Sequence, residues 1–530
     1  MCCSARTTSW RSGRGRSWRC GTRRRRLRSG RWRSPPTRGR RADDGGSAPR
    51  SRRPARALRG PERLSSRLGG RAAGYMLARR LDREAEYPGR QERGGAMESE
   101  LSRRTFIQQV GTTLAATPLM FSKTYAASDV VNLAVVGTGG RGTSLLKRLA
   151  EVGGARVVAV CDLDPERLNK AAHLVEQRHP VQSYADHRKL LENKDINAVI
   201  VATPDHWHTP IALSALLAGK DVYVEKPCSH NIQEANLLVK CAREHNRCVQ
   251  HGTQRRSSAV DMAGVRALQE GLIGDVYVAK AINHQLRGKI GKAPAEAAPA
   301  GVNYDLWLGA APLRAFTRNR WHYNWHWFWE YGGGDFVNDG IHQLDVAVWG
   351  LGLDLQYPQE VVTSGGQLWY DDDHETPDTQ TVIYAYPGKQ IVYEMRLWTD
   401  YKLEGHDNGT IFYGTKGKME IGRGGAVATT LDGKVTAIRP ADYGIQAEDI
   451  LTNFVAAVRQ GDPLKLNSPI DRGAVSTNLC HLGSIGVRCG GIKLAYDPKT
   501  ATISSAAEAN RANALIVREY RKGYELPYSS

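Results

Sequence analysis

The stretch from Val130 to Asp162 limits what this chain can become more than any other. A short apolar run, 130–136, enters Gly137-Thr138-Gly139-Gly140-Arg141-Gly142, and residues 145–149 continue at helical spacing. A second apolar run, 156–161, ends in Asp162, 20 residues beyond Gly142. Strand, glycine turn, helix and strand in this order suit a pyrophosphate. The first glycine permits the tight turn, the second lets backbone N–H groups approach the phosphates, and the third lets helix and strand pack closely, with the helix N-terminus supplying positive potential. An acid at that spacing accepts hydrogen bonds from the adenosine ribose hydroxyls and repels a 2′-phosphate, so NAD is favoured over NADP. The competing reading is a fold of this type that no longer holds a nucleotide.

The chain has 530 residues, enough for two or three domains, and a net charge of +20. That charge is confined to the first 96 residues, which hold 28 Arg, no Lys and seven acids, and the remainder is nearly neutral. The prefix has almost no apolar periodicity and no means of building a core. A basic nucleic-acid arm, a solvated tail and translated upstream DNA compete to explain it. A phosphate-binding arm uses both cations, whereas arginine without lysine is a codon bias. The reading adopted is therefore an over-extended gene model with a natural start at Met97, and no nucleic-acid partner. From Met97, Ser102-Arg103-Arg104-Thr105-Phe106-Ile107 leads into a modestly apolar segment, 110–121, and then small residues at 126–128. The pattern resembles a twin-arginine export signal and predicts a periplasmic or extracytoplasmic protein that engages that export machinery. Its alternative is a surface amphipathic helix. The six cysteines beyond the prefix show no metal-ligand spacing, so no metal site is expected, and they read as small buried apolar residues.

From 130 to 251 strands and helices alternate: helices at 165–177, 186–192, 210–217 and 232–244, strands at 198–202, 222–224 and 247–250. This predicts a doubly wound parallel sheet, with ligands at the carboxyl ends of its strands. Those ends deliver Thr203-Pro204-Asp205-His206-Trp207-His208, then Glu225-Lys226-Pro227, then Gly252-Thr253-Gln254-Arg255-Arg256. Lys226, between a buried strand and a proline, stands in the crevice where it can act as acid or base.

Past 258 the pattern changes. A helix (259–271), a strand (276–284) and a low-complexity loop (288–301) precede mostly alternating strands over 360–435. A second α+β domain on a largely antiparallel sheet is predicted, with helices near 447–459 and 475–487 packing back on the body. Between loop and sheet lies the aromatic run 320–335, with Tyr323, Trp325 and His326 at its centre. It suits either a sugar ring, stacked on aromatic faces and held by Asn, His and Glu, or a strand buried on both faces. A helix over 336–349 would place Asn338, His342 and Asp345 on one face, where flanking side chains can orient His342 as a general base or acid.

These motifs together resemble the Gfo/Idh/MocA family, named for glucose–fructose oxidoreductase and inositol dehydrogenase. The resemblance runs from about Val130 to the C-terminus. It is carried by GTGGRG with CDLD, ATPDHWH, Glu225-Lys226-Pro227 and the segment leading to Gly340–Asp345, and it is narrowest to an exported branch with YDLWLG, NWHWFW and ETPDTQ blocks. It implies a nucleotide-binding domain at 129–252, a C-terminal substrate and oligomer domain at 253–530, a homo-oligomer, and catalytic positions at Lys226 and His342 with Asn338 beside them. Cofactor contacts are expected from Gly137, Thr138, Gly139, Gly140, Arg141, Gly142, Asp162, Arg167, Thr203, Pro204, His206, His208, Glu225, Lys226 and Gln254. Substrate contacts are expected from Arg255, Tyr323, Trp325, His326, Asp339 and His342. One departure stands out: many of the family's dehydrogenases carry Asp four residues before the histidine, and here Asn338 takes that place. An amide shuttles no proton. The leading expectation is hydride transfer at a sugar, polyol or glycoside carbon with a tightly held NAD. The competing ones are a net non-redox sugar reaction through a keto-sugar, and a carbohydrate-binding protein with structural NAD.

Overall fold

The computed structural model describes residues 130–504 and 508–529. The arginine-rich prefix, the start at Met97 and the twin-arginine-like segment lie outside the described residues. The nucleotide-type half begins with β1 (Val131–Val136), α1 (Gly140–Leu149) and β2 (Ala155–Cys161). It continues through α2 (Pro165–Glu176), β3 (Gln182–Tyr184), α3 (His187–Glu192), β4 (Ala198–Val201), α4 (His208–Leu217), β5 (Asp221–Val224), α5 (Ile232–Glu244) and β6 (Val249–His251). The six strands form one parallel sheet in the order β3-β2-β1-β4-β5-β6. Strands such as β4 and β5 are buried along their whole length. That burial follows from helices covering both faces, and it is why they read as continuous apolar runs. Strand β3 was not visible in the sequence: QSY is short, polar and largely exposed, so it carries no apolar signal.

The second half starts with α6 (Ala259–Gln269), β7 (Val276–His284), α7 (Tyr304–Leu308), α8 (Gly334–Asn338) and α9 (Gly340–Gly350). Strands β8 (Glu360–Gly366), β9 (Thr379–Tyr386), β10 (Lys389–Arg396), β11 (Asn408–Gly414), β12 (Gly417–Gly422), β13 (Gly425–Thr430) and β14 (Val435–Ala437) follow. The chain then forms α10 (Ile450–Gln460), α11 (Ile470–Arg488), β15 (Lys493–Asp497), β16 (Thr502–Ser504) and α12 (Ala509–Ala514). A ten-stranded sheet results, in the order β14-β13-β12-β11-β7-β10-β9-β8-β15-β16. It is antiparallel except where β10 runs parallel to β7. Along β9 and β10 buried and partly exposed residues alternate, the signature of one face packed on helices and one left open.

The two late helices do pack back, as their apolar faces required. Helix α10 places Leu451, Phe454 and Val458 in the same core as Leu133, Val135 and Ile200 of the parallel sheet. Phe454 meets the ring of Tyr223 edge-on at 6.0 Å, and its burial contributes about 2 kcal/mol. Two expectations are corrected. The helix over 336–349 is two helices, α8 and α9, broken at Asp339 (φ −113°, ψ −38°). The run 320–335 contains no strand; a 3-10 turn ends at Arg320, a second spans His322–Trp327, and α8 begins at Gly334. Its aromatics pack on one another and on their neighbours instead.

Candidate active site

The glycine turn sits where sequence placed it, between β1 and α1, and its glycines are obligatory for different reasons. Gly137 has a φ of +85°, and a Cβ there would lie 2.6 Å from the Ala202 carbonyl oxygen. At Gly142 a Cβ would come within 1.9 Å of the Gly137 oxygen, so turn and helix touch backbone to backbone. Helix α1 has no side-chain cap and no acid in its first turn. Its leading N–H groups are thus left for an anion, and nothing negative competes for them. Asp162, at the tip of β2, is fixed by the turn itself. Its Oδ2 accepts from Thr138 N at 2.7 Å and Thr138 Oγ1 at 3.0 Å, and its Oδ1 accepts from Asp164 N at 3.0 Å. A carboxylate offers about four lone-pair sites, two on each oxygen, so Oδ1 retains capacity for a ribose hydroxyl. These groups border a cavity of about 660 Å³, within the size range of cofactor sites. The residues present therefore fit a dinucleotide.

At the other end of the cavity the two halves of the chain meet. Lys226, leaving β5 across a cis bond to Pro227, donates from Nζ to Asn338 Oδ1 at 2.8 Å and also to the Asn338 carbonyl oxygen. The Asn338 amide is itself held, its Nδ2 donating to Asp335 Oδ1 at 3.2 Å and to Tyr323 Oη at 3.4 Å. Asp335 in turn pairs with Arg287 at 2.8 Å and is fully buried. The amine is thus aimed by two neutral oxygens and, among the described residues, pairs with no carboxylate. This answers what Asn338 does here: it orients Lys226. His342 lies near enough for the charges of Lys226, Asp339 and Arg255 to act on its ring. Burial, then the Lys226 ammonium, hold the imidazole well below its ordinary range, so it is neutral at physiological pH. Its Nδ1 is buried without a partner among the described residues.

Asp205 forms the wall behind Lys226. Burial pushes its carboxyl well up from the usual carboxylate range, against the pull of Lys226, and its Oδ2 has no partner among the described residues. Glu225 is held the opposite way. Although buried, it accepts from Arg141 Nε at 2.6 Å and from Tyr223 Oη at 3.2 Å, and the guanidinium keeps it low. Two buried acids on adjacent strand ends are thus pushed in opposite directions, Glu225 being hydrogen-bonded by a guanidinium that Asp205 lacks among the described residues.

Of the residues that sequence singled out, the cavity is lined by Gly137, Gly139, Gly140, Arg141, Asp162, Arg167, Thr203, Pro204, His208, Glu225, Lys226, Tyr323, Trp325, His326 and Asn338. Thr138 and Gly142 act from behind, through Asp162 and through Gly137. Others are turned away. His206 is fully buried and donates from Nε2 to the Trp307 carbonyl at 2.9 Å. Gln254 reaches only Glu225 Oε1, at 3.5 Å. Arg255 pairs with Asp261 at 2.6 Å. Asp339 accepts from Gln285 and from Asn408, the latter at 2.8 Å. His342 borders Lys226 but does not line the cavity. Asp345, expected beside His342, is instead the buried partner of Arg256, with contacts of 2.8 to 3.0 Å, and it accepts from Ser476 at 2.7 Å. The pull of a buried guanidinium explains that difference. Sequence reading missed Trp307, Trp321, His322 and His187 as lining residues. The aromatic run marked the neighbourhood of His322, but nothing local marks His187.

Among the described residues there is no grouping of His, Cys, Asp and Glu able to hold a metal, and no helix is long and apolar enough to cross a membrane. The six described cysteines are free and buried.

A phosphate-ready helix N-terminus, a ribose-ready Asp162 and an oriented lysine define an NAD-binding oxidoreductase. Comparison with known proteins fixes the family. Residues 131–253 match the NAD-binding Rossmann fold of an oxidoreductase family, and residues 281–526 match its C-terminal alpha/beta domain. The chain belongs to the Gfo/Idh/MocA oxidoreductase family. Among curated relatives, it is 35% identical over 176 residues to a glycosyl hydrolase family 109 protein of Saccharopolyspora erythraea, covering 32% of this chain and 38% of the relative. With another of that name from Stenotrophomonas maltophilia it shares 31% over 200 residues, 36% of this chain and 43% of the other. The match thus spans about two fifths of these relatives' length. In overall fold it resembles the WlbA dehydrogenase of Chromobacterium violaceum, solved with NADH and UDP-GlcNAcA (TM-score 0.56, 19% identity, 72% of this chain and 99% of that one). It also resembles an aldose-aldose oxidoreductase of Caulobacter crescentus complexed with glycerol (TM-score 0.54, 19% identity, 69% and 99%).

Proposed function

We propose that this protein acts on a hydroxyl-bearing carbon of a sugar, polyol or glycoside, with an NAD that stays bound through turnover. The observation that carries the reading is Lys226, which lines the nucleotide cavity while being aimed by Asn338 from the other half of the chain. When bound, the nicotinamide supplies a reversible hydride acceptor. The Lys226 amine, held by neutral oxygens, is placed to take the hydroxyl proton and to return it. Trp325 and His326 stack with ring centroids 3.6 Å apart and, with Tyr323, give the cavity the flat apolar faces on which a sugar ring's C–H surfaces pack. Buried Asp205 keeps a neutral carboxyl against the Lys226 side.

A second reading is favoured by the relatives called glycosyl hydrolase family 109 proteins: a glycosidic bond cleaved, or a centre epimerised, through a transient keto-sugar with no net redox change. Both readings share one site and one proton carrier. They are separated by incubating the purified protein with a panel of glycosides and following aglycone release and nicotinamide absorbance together. Product without accumulating NADH supports the closed cycle, and NADH accumulating in step with product supports a plain dehydrogenase. Loss of neither activity in Lys226→Ala overturns the reading as a whole.

Export by the twin-arginine route, suggested by Ser102–Ile107, agrees with a retained cofactor, because that route carries folded proteins. A homo-oligomer is proposed through the open face of the ten-stranded sheet. The first is tested by locating the protein after mutating Arg103 and Arg104 to Lys, and the second by measuring mass in solution.

A further inference from the structure

The roof over the adenosine end of the cavity is not built by the nucleotide-binding half. Asp162 and the turn after it, Leu163-Asp164-Pro165, are covered by residues far downstream. Gly301 packs on the ring of Pro165, Leu163 packs against the core of the second half, and His322 Nε2 stands 3.7 Å from Asp164 Oδ2. The segment Trp321–His326 passes over the opening and lines it with five side chains. Both of its ends are fixed. Trp321 is wedged against Trp307 and Phe316, with centroids 5.3 and 5.5 Å away, and Trp327 is buried. Between these anchors His322 is held at a φ of +54°, in the left-handed region that few residues other than glycine occupy, histidine among those that do. A short turn between a partly buried and a buried aromatic thus spans the opening, and a dinucleotide lying between Asp162 and Lys226 passes beneath it.

We propose that residues 321–326 are a clasp that must open for the dinucleotide to enter or leave, with the Trp321 wedge as its anchor and His322 as the part that closes on Asp164. The proposal rests on the reading of this cavity as the NAD site, and it names the element that makes retention kinetic. A gate differs from a simple contact in one measurable way. Opening it speeds entry and exit together and leaves affinity nearly unchanged, whereas losing a contact speeds exit alone.

The test is stopped-flow binding of NADH to the full chain and its displacement by excess NAD. For the unaltered protein, association well under about 10⁵ M⁻¹ s⁻¹ is expected, as for binding that waits on a conformational change. In His322→Ala, which removes the closing ring from a partly exposed site, association and release should both rise about fivefold. In Trp321→Ala, which loosens the anchor, both should rise more than about tenfold, with Kd moving less than about threefold in each. Release that rises alone would make these residues ligand contacts and overturn the clasp. So would unchanged rates in both variants. Failure of the unaltered, correctly folded chain to bind NADH at all would overturn the NAD-site reading, and the clasp with it.

Discussion

The two ends of the cavity are built in opposite ways. The phosphate and ribose end is assembled within one strand-turn-helix-strand unit: Gly137 and Gly142 touch each other, and Thr138 holds Asp162. The chemical end is assembled across the chain, Lys226 from one half being aimed by Asn338 from the other, 112 residues away. The floor of that end forms with its local unit, and only its roof over Asp162 is added from the other half. A site shared between halves exists only when the halves dock, so binding can persist where chemistry is lost.

Four changes would break or sharpen that contrast. The largest effect is expected from Lys226→Ala, which should lower turnover about a thousandfold while NADH binding, measured by fluorescence titration, survives. If binding vanished too, the two ends would not be separable. Gly142→Val attacks the other end. With backbone where its side chain must go, NADH affinity should fall at least about a hundredfold, and turnover with it.

A third test uses acid. His187 lines the cavity under the glycine turn, packs on Trp207 at 5.0 Å, and burial pulls its imidazole down to about 4. Folded protein then holds it neutral while the unfolded chain protonates it near its ordinary value. Stability is unaffected above about pH 6.5 and falls as pH drops from there toward 4, by about 3 kcal/mol in all. His187→Gln should lessen that fall by its own share, since other buried histidines such as His342 keep theirs, and an unchanged profile would refute the assignment. The smallest effect is expected from Asn338→Asp. A carboxylate in place of the amide pairs with the Lys226 ammonium, so the acid limb of kcat against pH should move up by about one unit, with turnover at neutral pH down about tenfold. An unmoved profile would mean Asn338 does not govern the lysine.

How far sequence alone reached follows from the same contrast. The glycine turn, its partner acid and the parallel strands were legible because each rests on residues close in the chain: apolar runs, glycines at backbone contacts and an acid at a set spacing. The strand β3, polar and exposed, left no such mark. Nor did the pairing of Asp345 with Arg256 instead of His342, because an ion pair 89 residues apart has no local pattern.

Sequence by itself determined the nucleotide-type fold, the preference for NAD, and that Lys226 stands at a strand end. Tertiary structure alone decided what faces that lysine. The neutral oxygens of Asn338 and the aromatic roof over Asp162 both come from docking one half of the chain on the other, and the break at Asp339 comes from packing within the second half. The physical reason is range: backbone geometry and hydrophobic periodicity act over a few residues, whereas burial, charge pairing and desolvation depend on which distant surfaces are brought into contact.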